Sequence, residues 1–145
     1  GGEALDEVAA ATIRSLKETR QAIPGYGHPL HKASDPRVDR LIEVAAEAGA
    51  DLRYVRIAQA LERVIPDIVG RELRMNVSAA IPAVLLGVGF PVASLRGVPI
   101  LARTAGLIAH LAEEAETPSG FALSYQATRE LQYDGQAPAG FGSAA

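Results

Sequence analysis

One stretch of the chain, residues 23–37, interrupts a sequence whose apolar residues otherwise repeat every three to four positions. It reads IPGYGHPLHKASDPR, and its two glycines and three prolines do not permit a continuous helix. No segment alternates apolar and polar residues with a period of two, so we predict no sheet. The pattern predicts an all-α protein whose helices flank one rigid loop.

Capping residues and helix breakers delimit the predicted helices. Pro24 and Gly25 are expected to stop the first helix, Gly49 the second and Pro66 the third. Asp35, Asp51 and Asn76 are candidate N-caps. Helices are predicted over 3–22, 36–48, 52–64, 77–87 and 99–116, with an irregular segment or short helix over 67–76, a helical turn over 92–97, and weak structure or a short helix over 121–133.

The bulk properties exclude several classes of function. A chain of 145 residues is long enough for one domain with a real core. The net charge of −3 gives no electrostatic case for nucleic acid or an acidic membrane, and the absence of cysteine excludes disulfides and thiolate chemistry. The two longest apolar runs, 79–95 and 98–112, are interrupted by proline and glycine or by Arg103 and His110, and neither reaches about 20 residues. The N-terminal residues do not show the pattern of a secretion signal. We therefore expect a cytoplasmic protein with no nucleic-acid or membrane partner.

Two of the three histidines, His28 and His31, lie three residues apart in the interrupting stretch. By spacing alone they are first interpreted as two solvated loop histidines, and the alternative is a general acid or a group that polarises a carbonyl. A metal site is not expected, because the third histidine, His110, is far away in the sequence.

Two arginines stand in unusual settings. Arg37 follows Pro36 in the first turn of a predicted helix, where the helix dipole disfavours a cation. A surface salt bridge or a bound anion would each resolve the conflict. Arg103 has almost only apolar neighbours in the sequence, so we expect it to be buried beside an acidic side chain or a substrate carboxylate. Ser78 is, by position alone, an ordinary first-turn serine.

Three motifs in this order carry a specific resemblance to the citrate synthase family. Residues 24–37 resemble that family's second histidine motif, a PGYGH followed by K-x-x-DPR. Asn76-Val77 resembles its NVD motif, and residues 101–110 resemble its R-[TA]-x-G-x-[IL]-A-H helix. Within the family, the compact loop and short first helix are most similar to the citryl-CoA lyase-like branch.

The resemblance implies a fold and an activity. It implies a helical small domain over 1–97 and a helix and segment of the large domain over 98–133. Residues 134–145 are rich in glycine, alanine and proline, so we expect them to form a disordered tail. Members of the family join or split acetyl-CoA and oxaloacetate through citryl-CoA, and they form homodimers, here through helix 98–116. The partners would be an acyl-CoA and an oxaloacetate- or citrate-like dicarboxylate, with coenzyme A as a substrate, no covalently bound cofactor and no metal.

The resemblance also implies residue roles. His28 would polarise the keto carbonyl, or take the hydroxyl proton in the reverse direction. Arg37 and Arg103 would hold substrate carboxylates, and Ser78 occupies the place of the family's catalytic aspartate. The residues implied to lie along CoA are Pro24, Gly25, Tyr26, Gly27, His31 and Lys32.

Departures from the family pattern lead to two further expectations. Gly1-Gly2 match the glycines that follow the family's other catalytic histidine, so we expect a C-terminal portion of a longer enzyme, inactive alone. A serine hydroxyl is a poor base near neutral pH, so Ser78 also suggests an alternative, a protein that binds a CoA ester or a dicarboxylate without the usual chemistry.

His31 stands where many members have an arginine that binds CoA, and the family's late arginine has no clean match, since Arg129 is not followed by proline. A helical interaction module that shares only the fold is the remaining interpretation.

Overall fold

The computed structural model describes residues 2–132 and 134–136, and these residues contain helices and no strands. The predicted all-α class is confirmed. The chain forms two compact units, the first ending at Val98 and the second beginning at Pro99. The described helices are α1 (Gly2–Glu18), α2 (Pro36–Glu47), α3 (Arg53–Val69), α4 (Val77–Gly87), α5 (Gly97–Glu116) and α6 (Gly120–Glu130), with a 3₁₀ turn at Val92–Ser94.

Helix α1 packs along α3 in a seam, and the two largest fully buried side chains among the described residues, Ile13 and Ile65, lie on these two helices. Ile13 is 1% exposed, and Ala60 and Ile65 are 0% exposed. Arg63 on α3 also pairs with Asp6 on α1 across the seam at 2.6 Å.

The predicted end of α1 at residue 22 is wrong, because the helix closes at Glu18. Arg20 adopts a left-handed backbone with φ 54°, and the Gln21 N–H donates to the Leu16 carbonyl at 2.9 Å. This paired closure satisfies the last carbonyls of the helix before Pro24 is reached.

The predicted end of α3 at Pro66 is also wrong. Pro66 lies inside α3, which continues to Val69 and closes on Gly70, a left-handed residue whose N–H donates to the Pro66 carbonyl at 2.8 Å. A proline removes one hydrogen bond near the end of a helix, and the buried Ile65 beside it keeps this last turn packed.

Helices α2, α3 and α4 enclose the main apolar core. Its buried residues are Val38, Val55, Ala58, Met75, Ala80 and Ala83. The predicted bounds of α4 match the structure, and Asn76 caps it by accepting from the Ser78 N–H at 2.8 Å. Asp35 caps α2 as predicted, and Gly49 follows it in the left-handed conformation expected of a helix stop.

The second unit contains α6 and nearly all of α5, and neither helix has a buried residue among those described. Glu114 joins the two helices by accepting from the Ser119 and Gly120 N–H groups, and these bonds lower the pKa of its carboxyl. The expectation that Arg103 is buried is wrong for this structure. Arg103 is exposed, and so are its neighbours on α5. The domain boundary at residue 97 stays a prediction. Residues 137–145 of the expected tail lie outside the described residues, and so does Tyr133, which precedes the tail.

The stretch Val92–Glu116 is long and apolar enough to cross a membrane by length and composition alone, with mean hydropathy 1.3. The sequence places Arg103 near its middle and three glutamates in its last turns. A charged side chain near the centre of a bilayer costs about 3 kcal/mol or more. The absence of a membrane partner stays a prediction.

Candidate functional site

The interrupting loop is fastened to the segment just before α4. The Gly27 N–H donates to the Arg74 carbonyl at 2.7 Å, and the Asn76 N–H donates to the Gly25 carbonyl at 2.9 Å. These bonds make an isolated antiparallel bridge between Tyr26 and Met75. Residues almost fifty positions apart in the sequence are thereby joined in one site.

Two glycines let the loop lie this close. Gly25 and Gly27 have φ values of 88° and 81°, a region that residues with a Cβ rarely adopt. A Cβ on Gly25 would lie 2.5 Å from the Ala79 Cβ in the first turn of α4. The PGYG motif is therefore required for close packing of the loop against α4.

Tyr26 anchors the loop in the core. It packs against the apolar core, and its hydroxyl donates to the Ala58 carbonyl at 2.8 Å. Burial raises the pKa of Tyr26, and the nearby Glu62 carboxylate raises it further. The phenol therefore stays neutral and serves as a structural donor.

His28 is held in one tautomer by its own turn. Its Nδ1 accepts from the backbone N–H groups of Leu30 and His31, both at 3.1 Å. A backbone N–H can only donate, so the neutral ring carries its proton on Nε2. The His31 ring lies 4.6 Å from the His28 ring, centroid to centroid. The arrangement leaves Nε2–H as the donor of a half-buried histidine.

A cleft of about 200 Å³ opens beside the His28 turn. Gly27, His28, His31 and Lys32, all singled out from the sequence, line it together with Pro29 and with Glu72, Leu73 and Arg74. Sequence reasoning missed the last three, because only the pairing of Gly27 with Arg74 brings them to the loop. A cationic residue two positions before the Asn76 cap, Arg74, was the available signal.

Arg37 is paired with its own helix cap. Its Nε and Nη2 donate to the two carboxylate oxygens of Asp35 at 2.9 and 2.8 Å, and its backbone N–H also donates to Asp35 at 3.1 Å. The Asp35 side chain is 1% exposed and that of Arg37 is 52% exposed. The hydrogen bond and charge of Arg37 lower the pKa of Asp35 to about 2. The cap resolves the conflict with the helix dipole and fixes the guanidinium at the surface.

Ser78 and Arg103 lie on different units. Ser78 is an exposed first-turn residue of α4, two positions after the Asn76 cap, and so belongs to the anchored loop region. Arg103 is an exposed residue of α5. Among the residues that the structure describes, no cluster of histidine and carboxylate side chains could hold a metal ion.

The sequence matches the family model of the citrate synthase C-terminal domain over residues 3–121. It is 32% identical to a citrate synthase of Dictyostelium discoideum over 112 residues, which cover 73% of this chain and 22% of that protein. It is also 32% identical to a citrate synthase of Saccharolobus solfataricus over 102 residues, covering 67% of this chain and 27% of the relative.

The fold is similar to a solved structure of citryl-CoA lyase from Hydrogenobacter thermophilus. The TM-score is 0.72 at 32% sequence identity, and the match covers 90% of this chain and 51% of that chain. The chain thus spans about a quarter of the length of the curated relatives and about half of this structural neighbour.

Proposed function

This chain belongs to the citrate synthase family, through its C-terminal domain, and we propose that it supplies the carbonyl-polarising and CoA-binding side of that family's active site. The reaction would make or cleave the carbon–carbon bond between acetyl-CoA and oxaloacetate through citryl-CoA. The observation that carries the proposal is the fixed Nδ1 acceptor of His28, which leaves a single proton donor, Nε2–H, on the ring.

His28 would act by hydrogen bonding. In the condensation direction, Nε2–H donates to the keto oxygen of oxaloacetate, where negative charge develops as the new bond forms. A donor that is already oriented stabilises that charge without reorganising during the reaction. The two backbone N–H groups on Nδ1 keep the ring from rotating away.

The cleft beside His28 would receive the CoA part of the substrate. Lys32 and Arg74 are its permanent cations, and His31 lies beside them. Phosphate oxygens are good acceptors for such groups. Arg74 is paired with Glu72 at 3.0 Å, an exposed pair from which a phosphate could displace the carboxylate.

Arg37 would hold a substrate carboxylate. Asp35 uses two of the five guanidinium N–H donors and leaves the half-exposed head in a fixed orientation. Arg103 would hold a second carboxylate, as the family motif implies. In this proposal the protein is a cytoplasmic homodimer assembled through α5, and other parts of the active site come from outside these 145 residues.

Binding of acetyl-CoA to the full-length protein tests the proposal. Hydrogen exchange with and without acetyl-CoA should show protection over 24–32 and 72–74. Arg74→Gln should weaken binding by about tenfold, the expected effect of losing one charged hydrogen bond. Arg96→Gln, an exposed arginine outside the cleft, is the matched control and should bind normally. Equal protection of all segments, or none, would refute the CoA assignment.

The residue at position 78 favours a second candidate, a CoA-ester or dicarboxylate binder without the usual chemistry. Ser78 has no carboxylate to remove the acetyl proton, and its backbone N–H is already used by the Asn76 cap. Ser78→Asp in the full-length protein separates the two functions. A large gain in citryl-CoA turnover would identify the natural protein as a binder, whereas unchanged turnover beside robust wild-type activity would identify an enzyme with another base.

A further inference from the structure

Asn76 makes one hydrogen bond that caps α4 and two more that connect it to the loop. Its side-chain Oδ1 accepts from the Ser78 N–H at 2.8 Å, which is the capping bond. Its side-chain Nδ2 donates to the Gly27 carbonyl at 2.7 Å, and its backbone N–H donates to the Gly25 carbonyl at 2.9 Å. One residue therefore joins the first turn of α4 to both sides of Tyr26 in the loop.

The bond to Gly27 acts directly on His28. The Gly27 carbonyl belongs to the peptide unit whose nitrogen is that of His28, so the Asn76 amide sets the orientation of that peptide plane. Gly27 is left-handed, and its N–H is bonded to the Arg74 carbonyl. Both polar groups of Gly27 are thus fixed by the segment before α4.

We propose that Asn76 is a positioning residue for His28, holding the backbone on which the Nε2 donor is aimed. The inference rests on the proposed function of His28. It adds an anchor for the His28 backbone to the hydrogen bonds that hold the His28 ring. The ring is held from the C-terminal side by the Leu30 and His31 N–H groups, and the backbone is held from the N-terminal side by Asn76. Without the Asn76 bond the backbone at Gly27 and His28 can rotate, which misaligns the His28 ring with the Leu30 and His31 N–H groups.

Two substitutions separate positioning from capping. Asn76→Asp keeps an oxygen that can cap α4, but it places an acceptor where Nδ2 donates to the Gly27 carbonyl. Asn76→Ser also keeps a capping oxygen, adds no charge, and is too short to reach Gly27. Glu62→Gln is the matched control, because Glu62 accepts from the Met75 N–H one residue away and the glutamine retains that acceptor oxygen.

The measurements are amide hydrogen exchange and the ¹⁵N chemical shifts of the His28 ring, both on the 145-residue chain without ligand. Loss of one hydrogen bond should speed exchange at Leu30 and His31 by about tenfold in both Asn76 variants. The ring shifts should move towards a mixture of tautomers, while exchange in the α1–α3 seam stays as in the wild type and in Glu62→Gln.

Uniformly faster exchange throughout the first unit, or no change at Leu30 and His31, would show that Asn76 is only a structural cap and would overturn the inference. These readouts need no CoA or keto acid. A full-length wild-type protein that fails to bind acetyl-CoA would therefore refute the proposed function separately.

Discussion

At the scale of single residues, the ion pair of Asp35 with Arg37 links the stability of the first unit to pH. The carboxylate is buried, and its pKa is lowered to about 2 from 3.8 by the Arg37 hydrogen bonds and charge. The folded state therefore binds this proton less readily than the unfolded chain. The contribution is complete above about pH 4 and is lost as the pH falls towards 2.

Asp35→Asn should thus lower the free energy of unfolding at pH 7 by about 1–2 kcal/mol, since it weakens charged hydrogen bonds but keeps a capping oxygen. The difference between variant and wild type should shrink as the pH approaches 2. Urea unfolding at several pH values measures both effects. A constant difference from pH 7 down to 2 would show that the ionisation of Asp35 is not its cause.

Gly25 gives a second prediction at this scale. Gly25→Ala would combine a left-handed backbone with a Cβ 2.5 Å from the Ala79 Cβ. We expect a loss of about 2–4 kcal/mol, the sum of the left-handed cost and overpacking. Gly49→Ala is the matched control, because Gly49 is also left-handed but has nothing within 4 Å of its Cβ position. Equal losses in thermal unfolding would show that close packing against α4 is not required.

At the scale of elements, the seam between α1 and α3 makes the sharpest stability prediction. Ile13→Ala should cost about 2–5 kcal/mol, because it removes buried methyl groups and leaves a cavity. Val8→Ala lies on the same helix but is 66% exposed, so it should cost less than about 0.5 kcal/mol. Denaturant unfolding of the two variants compares them, and similar losses would contradict this packing of α1.

Helix starts and stops were predictable where one local group decides them. Asp35 and Asn76 cap α2 and α4 as the sequence indicates, and Gly49 stops α2. Pro66 misled the prediction because tertiary burial of Ile65 outweighs the loss of one hydrogen bond. Local signals are reliable until packing of the same turn competes with them.

In the candidate site, too, local motifs were predictable from the sequence, whereas contacts between distant segments were not. The PGYGH motif identified the loop and His28, but not the pairing of Gly27 with Arg74, which depends on residues distant in sequence. Arg37 was recognised as unusual, and of the two expected explanations the structure shows a salt bridge, whose partner is the helix cap Asp35. Arg103 has apolar neighbours in the sequence but is exposed, because an apolar sequence pattern does not reveal which surface packs against the helix.

At the scale of the whole molecule, the apolar surface of α5 predicts self-association. Ile100, Leu107, Ile108 and Leu111 are 51–70% exposed, and their spacing places them along one face of the helix. A contiguous exposed apolar face marks an interaction surface. A second copy of the chain is the expected partner, since the proposed homodimer forms through this helix.

Replacing both Leu107 and Leu111 by glutamate should shift the chain from dimer to monomer in sedimentation equilibrium. Each buried leucine contributes about 1.5–3 kcal/mol, so the two together should weaken association by at least about 100-fold. Both side chains are exposed within one chain, so helicity should not change. Ala102→Glu, on the opposite face of α5, is the control and should remain dimeric. A wild-type monomer at high concentration would refute the prediction, and dissociation by Ala102→Glu alone would place the interface on the other face of α5.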